Sequence, residues 1–212
     1  MSFPSPSAYF CILGLITVGR LMEMYTSKKN LACGSSSTPS NESCADPRGN
    51  WPAMVILHAA LLIAPVIEVL VKGEVASAGV WWSCLVLLIL AQGLRFASIR
   101  SLGEAWNARA ILLPEHEMVS SGPYRWVRHP NYLAVLIEII AIPAMGGAWI
   151  SLSLLVIPHV IVLTRRISGE ERLLARSSTW RSSMSNKGCL LPRFVSGGAS
   201  ATSDSNSKEM RA

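Results

Sequence analysis

None of the five cysteines, Cys11, Cys33, Cys44, Cys84 and Cys189, stands in a C-x-x-C pair, and their number is odd. That spacing suggests neither a zinc site nor a disulfide framework, so reduced structural thiols and no metal are expected. No G-x-G-x-x-G follows a strand, which removes the ordinary soluble nucleotide-binding solution. Charge is sparse: 15% of the 212 residues are Asp, Glu, Lys or Arg, 50% are hydrophobic, and mean hydropathy is +0.38. That balance suits one domain built for a bilayer rather than for water. The leading MSFPSPSAY lacks the basic region of a signal peptide, and Arg20 and Glu23 stand where a small-residue cleavage site belongs. The net charge of +6 comes from Lys and Arg beside apolar runs rather than from a separate patch. Membrane lipids, and not nucleic acid, are the expected partner.

What is present is a series of apolar runs. Ala8 to Met24, Pro52 to Val71 and Ala78 to Phe96 each approach the roughly 20 residues that a helix needs to cross hydrocarbon. Tyr132 to Leu163 is too long for one span and is broken by Pro143, Gly146 and Gly147, which predicts a tight helical hairpin. The expected fold is an all-α, multi-pass integral membrane protein of about five transmembrane helices, with residues 1–194 as its one domain. The Ser-rich stretch over 33–50 reads as a loop, and the tail over 195–212 as disordered. Lys28, Lys29, Arg48, Arg95, Arg100, Arg109, Arg125, Arg128, Arg165, Arg166, Arg172, Arg176 and Arg181 all follow spans one, three and five. The positive-inside rule therefore puts the C-terminus in the cytoplasm and the N-terminus outside. The sequon Asn41-Glu42-Ser43 then falls on the cytoplasmic side, where it has no meaning.

The same face receives SSGPYRWVRHPNYLAVLIEI, which crowds arginines, a histidine, prolines and tyrosines at the mouth of an apolar run. Charge held against hydrocarbon is costly, so such a cluster is an interfacial anchor or a site. Three segments converge there: His116 to Tyr124 (HEMVSSGPY), Arg128 to Tyr132 (RHPNY) and Arg165 to Leu174 (RRISGEERLL). Their ordered pattern, H-x-[LM]-V-x-x-G-P-Y-x-x-x-R-H-P-x-Y, a hairpin, then R-x-x-x-E-E-x-x-L, resembles the isoprenylcysteine carboxyl methyltransferases and their bacterial relatives. The flanking SLGEAW and LLPRF extend the likeness over about residues 78–194. RLMEMYTSKKN, with His58 in the second span, is similar to the bacterial members that methylate hydroxyls of alkylpyrones and alkylresorcinols.

The resemblance implies an enzyme with a cytoplasmic cofactor pocket that moves a methyl group from S-adenosylmethionine to an oxygen of a lipophilic acceptor. The acceptor is an alkylpyrone or alkylresorcinol hydroxyl or, alternatively, a prenylated cysteine carboxylate; a phospholipid amine is a further candidate. Position by position, it assigns the cofactor to His116, Glu117, Met118, Val119, Tyr124, His129, Pro130, Asn131, Tyr132 and Glu170. It turns Arg166 toward the methyl acceptor, where a guanidinium suits a carboxylate or phenolate-like oxygen. Read by spacing alone, Arg166 and Glu170 are an i,i+4 pair on one helix face, which a solvated salt bridge also explains. Pro123 and Pro130 fix the loop by removing donors, and Pro130 also suits a helix start. A carboxylate acceptor needs no base; a hydroxyl needs one, and His129 and Glu171 both stand as candidates.

The remaining conspicuous residues have plainer readings. His58 and His159 are expected to be hydrogen-bonded packing residues within their spans. Glu138 is placed against the acceptor tunnel and Glu68 at the outer interface. Trp81, Trp82, Trp106 and Trp126 fit interface belts, Trp106 also bordering the cofactor pocket. A noncatalytic scaffold explains the spans but not the three signatures together. A sterol-type reductase shares a similar membrane core and would bind a nicotinamide cofactor instead.

Overall fold

The computed structural model describes residues 4–37, 51–106, 119–175, 184 and 187–192. Among them the regular elements are helices: α1 (Pro6–Ser37), α2 (Trp51–Lys72), α3 (Ala78–Leu102), α4 (Pro130–Met145) and α5 (Trp149–Leu174). Short 3-10 turns cover Gly103–Ala105 and Gly122–Arg125, and Val127 makes a single β-bridge to Gly188. The Ser-rich stretch beyond Ser37 and the tail lie outside the described residues.

Helices α1, α2, α3 and α5 are long and apolar enough to cross a membrane. The predicted hairpin is present, but its first arm is short. Proline at the first helical position starts α4 and the Gly146–Gly147 turn ends it, so its 16 residues rise only about 24 Å. Five expected spans thus become four long helices around a short one that is the most deeply buried of the set. α4 packs chiefly on α3 and α5, and α2 packs on α5.

The hairpin turn is tight because it has to be. Gly147 sits at φ +65°, where a Cβ would also come 3.1 Å from Ala76 N. A Cβ on Gly146 would lie 2.9 Å from Tyr9 Cζ and Val69 Cγ2. Beyond the turn, the first amides of α5 lack intrahelical acceptors, and Glu68 supplies one from α2. It accepts Ser151 N–H at 2.8 Å, Ile150 N–H at 3.2 Å and the Ser151 hydroxyl at 2.8 Å. Lys72 Nζ joins Glu68 at 2.6 Å to Gly147 O at 3.0 Å. Glu68 is therefore a capping anion at a helix N-terminus rather than an interface residue alone.

Tyr9, Leu61, Trp81, Leu88, Ile139, Ile142 and Met145 fill the centre, while Leu15, Leu70, Ile89 and Leu154 stand out on the periphery as lipid-facing side chains do. Trp82 is half exposed and Trp126 more than half, in keeping with interface positions, but Trp81 and Trp106 are buried. Trp81 packs its ring edge on Trp82, and Trp106 closes the end of α3, where its carbonyl accepts Asn30 Nδ2–H at 2.7 Å. Belt positions were expected for both because an indole at the end of an apolar run has the same sequence signature in either setting. His58 and His159 behave as packing residues: each donates Nδ1–H to the carbonyl one turn earlier, at 2.9 and 2.8 Å, and the rings meet edge to face.

Arg95 differs from its expected role as a positive-inside marker, because it is buried. Its Nε and Nη2 donate to Glu23 at 2.7 and 2.8 Å, and Glu23 also pairs with Arg20 at 2.7 Å. Arg20 in turn pairs with Glu138, which accepts Gln92 Nε2–H at 2.7 Å and lies 4.0 Å from Arg95 Nη1. Two guanidiniums and two carboxylates thus cancel inside the bundle, tying α1, α3 and α4 together. Removing Arg95 leaves Arg20 alone against two carboxylates, and breaking a buried pair in this way typically costs about 3 to 5 kcal/mol, whereas removing a carboxylate together with its guanidinium costs far less. Arg95→Leu should therefore lower the unfolding midpoint in detergent sharply, and adding Glu23→Leu should recover most of the loss, since Arg20 keeps Glu138. Additive losses in the double variant would contradict this accounting.

Candidate functional site

At the opposite end from the hairpin turn, α4 begins, α1, α3 and α5 end, and the 187–192 segment lies against the loop before α4 and near Glu171 of α5. Asn30 of α1 reaches the carbonyls of Gly103 and Trp106. The Gly122–Arg125 turn packs on the end of α3, with Gly122 at φ +57°, where a side chain is strained and an added Cβ would also press on Ser101 Oγ. Pro123 occupies the first positions of that turn and Pro130 the first of α4, where neither ring forfeits a needed donor. Between them, Arg128 N–H donates to Gly188 O at 2.9 Å and His129 N–H to Cys189 O at 3.0 Å. The RHP loop is thereby held in extended form against the later segment.

Two adjacent glutamates on α5 split the site into two chains, because neighbouring positions on a helix point about 100° apart. Glu170 Oε2 accepts the Tyr132 hydroxyl at 2.5 Å, and that same hydroxyl oxygen accepts Arg166 Nε–H at 2.8 Å. Arg166 is buried, and its guanidinium also lies over the Tyr132 ring at 5.9 Å. Glu171 Oε1 pairs with Arg128 Nη1 at 3.0 Å and with His129 Nε2 at 3.3 Å. The His129 ring in turn lies 5.5 Å from that of Tyr132, so the two chains run side by side.

The electrostatics of the rim follow from burial. Tyr124 is buried, and desolvation with the nearby Glu170 charge pushes its phenol well above the ordinary value, so it remains a donor. Lys187 donates from Nζ to Tyr124 O at 2.8 Å, and burial pulls its ammonium below the usual lysine range. Burial, the Glu171 charge and a hydrogen bond to Glu171 raise the Cys189 thiol, against the opposing effect of Arg128.

Of the residues expected to hold a cofactor, His116, Glu117 and Met118 lie outside the described residues. Val119 is half-buried on the extended approach to the Gly122 turn, and Tyr124 lies within that turn. His129, Pro130, Asn131 and Tyr132 form the start of α4, and Glu170 meets Tyr132 from α5. The expected Arg166–Glu170 relation is thus mediated by a third residue, which spacing along one helix does not reveal. Asn131 Oδ1 is buried without a hydrogen-bond partner. A buried acceptor without a donor is costly unless a ligand supplies one, so the start of α4 fits a polar molecule bearing amino or hydroxyl groups. By sequence Lys187 has no marked role and Cys189 only that of a structural thiol, because the late LLPRF flank marks their neighbourhood but nothing marks these two side chains. Glu138 belongs to the charged cluster below the site.

The pattern of the isoprenylcysteine carboxyl methyltransferase family matches residues 84–176, from the second turn of α3 to just past the end of α5. An uncharacterized protein of Bacillus subtilis (strain 168), YpbQ, is 28% identical over 171 residues, 80% of this chain and 98% of its own length. An uncharacterized Haemophilus influenzae protein is 30% identical over 128 residues, 59% of this chain and 73% of its own. The cobalt-zinc-cadmium resistance protein CzcN of Cupriavidus metallidurans is 31% identical over 98 residues, 46% of this chain and 44% of its own. The matched residues contain the RHP loop, the hairpin and the E-E pair, whose first glutamate bonds to Tyr132 and whose second pairs with Arg128 and His129, so pattern and geometry agree: this chain is a multi-pass membrane protein of the isoprenylcysteine carboxyl methyltransferase family.

Proposed function

We propose that the chain is an S-adenosylmethionine-dependent methyltransferase that methylates an oxygen of a lipophilic acceptor delivered from the bilayer. The observation that carries this reading is the Tyr132 hydroxyl shared between Arg166 and Glu170, beside the unmatched Asn131 Oδ1. When bound, S-adenosylmethionine supplies a methyl group already activated on a sulfonium. The protein's work is then to bind, align and keep water out.

Glu170 and Asn131 offer acceptors for the ammonium, amino and hydroxyl groups of such a cofactor, with His116, Glu117, Met118, Val119 and Tyr124 as its other proposed contacts. Tyr132 orders Glu170 by donating to it, which leaves the other carboxylate oxygen for a ligand. Arg166, buried one turn before Glu170, holds the acceptor oxygen by charge and planar fork while Tyr132 fixes its orientation. A hydroxyl acceptor must also lose its proton. His129 Nε2 and Glu171 Oε1, 3.3 Å apart, are the pair positioned to share it. The apolar exteriors of the long helices give the acceptor's chain a route in from lipid. Cytoplasmic placement of this face is supported by Lys28, Lys29, Arg100, Arg125, Arg165 and Arg172, which ring the same end.

Three outcomes follow. Cysteines introduced at the exposed Ser121 and Ser168 should both be shielded from an impermeant reagent in intact cells; labelling of both from outside would reverse the orientation. Glu170→Gln and His116→Ala should each weaken S-adenosylhomocysteine binding by about 1 to 3 kcal/mol, and unchanged affinity in both folded variants would sink the cofactor assignment. Arg166→Lys should keep most cofactor affinity but lose turnover with labelled S-adenosylmethionine and an alkylresorcinol, the wild-type rate rising with pH as the acceptor's proton is removed. A pH-independent rate near neutrality with farnesylcysteine as the substrate used would instead assign the carboxylate acceptor.

A further inference from the structure

The segment 187–192 brings a thiol to a place where the methyl-transfer reading has no use for one. His129 Nε2, a Glu171 carboxylate oxygen and Cys189 Sγ all lie within 4.8 Å of one another, with the nitrogen and Glu171 Oε1 3.3 Å apart. The three donors come from three elements, separated by 42 and 18 positions in sequence, so no cysteine or histidine spacing announces them. They are nonetheless held together by backbone: Arg128 N–H and His129 N–H bond to the carbonyls of Gly188 and Cys189.

We propose that His129, Glu171 and Cys189 form a binding site for one divalent cation of the zinc class, which fastens the 187–192 segment to the start of α4 and the end of α5. Tetrahedral zinc takes nitrogen and oxygen at about 2.0–2.2 Å and sulfur at about 2.3 Å, so its ligand atoms sit roughly 3.3–3.6 Å apart. The nitrogen–oxygen edge already has that length, and the thiol need close by no more than about 1.2 Å, within reach of a χ1 rotation outside any helix. Binding forms the metal–nitrogen, metal–oxygen and metal–sulfur bonds: the Sγ proton, which now bonds to Glu171, leaves to solvent, and the imidazole binds as the neutral tautomer protonated on Nδ1, so that the Nε2 lone pair replaces its hydrogen bond to Glu171 with the metal. Arg128 Nη1, 3.0 Å from Glu171 Oε1, then acts as an outer partner that orients the carboxylate. One imidazole, one carboxylate and one thiolate select zinc, cobalt or cadmium over magnesium or calcium, and three protein ligands leave a fourth position for water.

With a metal bound, His129 Nε2 and Glu171 Oε1 no longer take an acceptor's proton, so occupancy of this site and the base role proposed above exclude one another; the test of occupancy does not require activity. Co²⁺ titrated into full-length detergent-purified protein without a histidine tag should saturate at one equivalent, giving a thiolate-to-cobalt charge-transfer band and the intense visible bands of tetrahedral cobalt, both bleached by Zn²⁺. Cys189→Ser should abolish the charge-transfer band and weaken Co²⁺ binding by more than the roughly 10- to 100-fold that loss of an outer-shell partner costs. Zn²⁺ should raise the unfolding midpoint of wild type but not of Cys189→Ser, whose own midpoint without metal serves as the folding control. A wild-type spectrum without a thiolate band would overturn the proposal. So would an undiminished band in Cys189→Ser, which would assign the metal to another cysteine.

Discussion

The Tyr132 hydroxyl is the point on which the site depends. One oxygen accepts from Arg166 and donates to Glu170, so a residue in the first turn of α4 fixes two side chains on α5. Because a hydroxyl has one proton to give, the direction of the chain is set: the guanidinium donates, and the carboxylate receives. This makes Glu170 an ordered anion instead of a mobile one, and keeps Arg166 from collapsing onto it. The second glutamate, turned about 100° around the helix, is left to Arg128 and His129. A single E-E dipeptide therefore serves two purposes, which explains why both positions carry a carboxylate.

The same helix carries a second constraint deeper in the bundle. Glu138 lies eight residues from Pro130, on the order of 12 Å below the loop. A carboxylate at that depth needs its countercharges inside the protein, and Arg20, Gln92 and the Arg95–Glu23 pair supply them from α1 and α3. The network fixes the long helices around α4, and Glu68 fixes the far end by capping α5 across the Gly146–Gly147 turn. The site is thus held from below by paired charges and from beyond by a tight turn, with the RHP loop and the 187–192 segment pinned above it by backbone hydrogen bonds.

Much of this was legible in the sequence. The apolar runs marked the long helices to within a few residues at most ends, since hydrophobicity and helix length are properties of one segment. The ends of α1 and α3 were missed, because both helices continue as polar turns past the hydrocarbon-like stretch. The hairpin was visible in Pro143, Gly146 and Gly147, but the shortness of α4 was not, because a continuous apolar run hides where one helix yields to the next. The signature residues were found by their pattern, while their wiring was not. Tyr132 as a bridge, Arg95 as a buried ion and Cys189 beside His129 are each relations between segments far apart in the chain. Such relations arise from packing, and no single window of sequence contains them.

Whether the start of α4 and the end of α5 bind the methyl donor is tested most directly by equilibrium binding to detergent-purified protein. The same preparation should be titrated with S-adenosylhomocysteine and with NADPH. The prediction is one saturable site for S-adenosylhomocysteine, weakened when Tyr132→Phe removes the hydroxyl that orders Glu170, and no saturable binding of NADPH. Saturable NADPH binding without any for S-adenosylhomocysteine would contradict the account and point to a reductase built on the same helices.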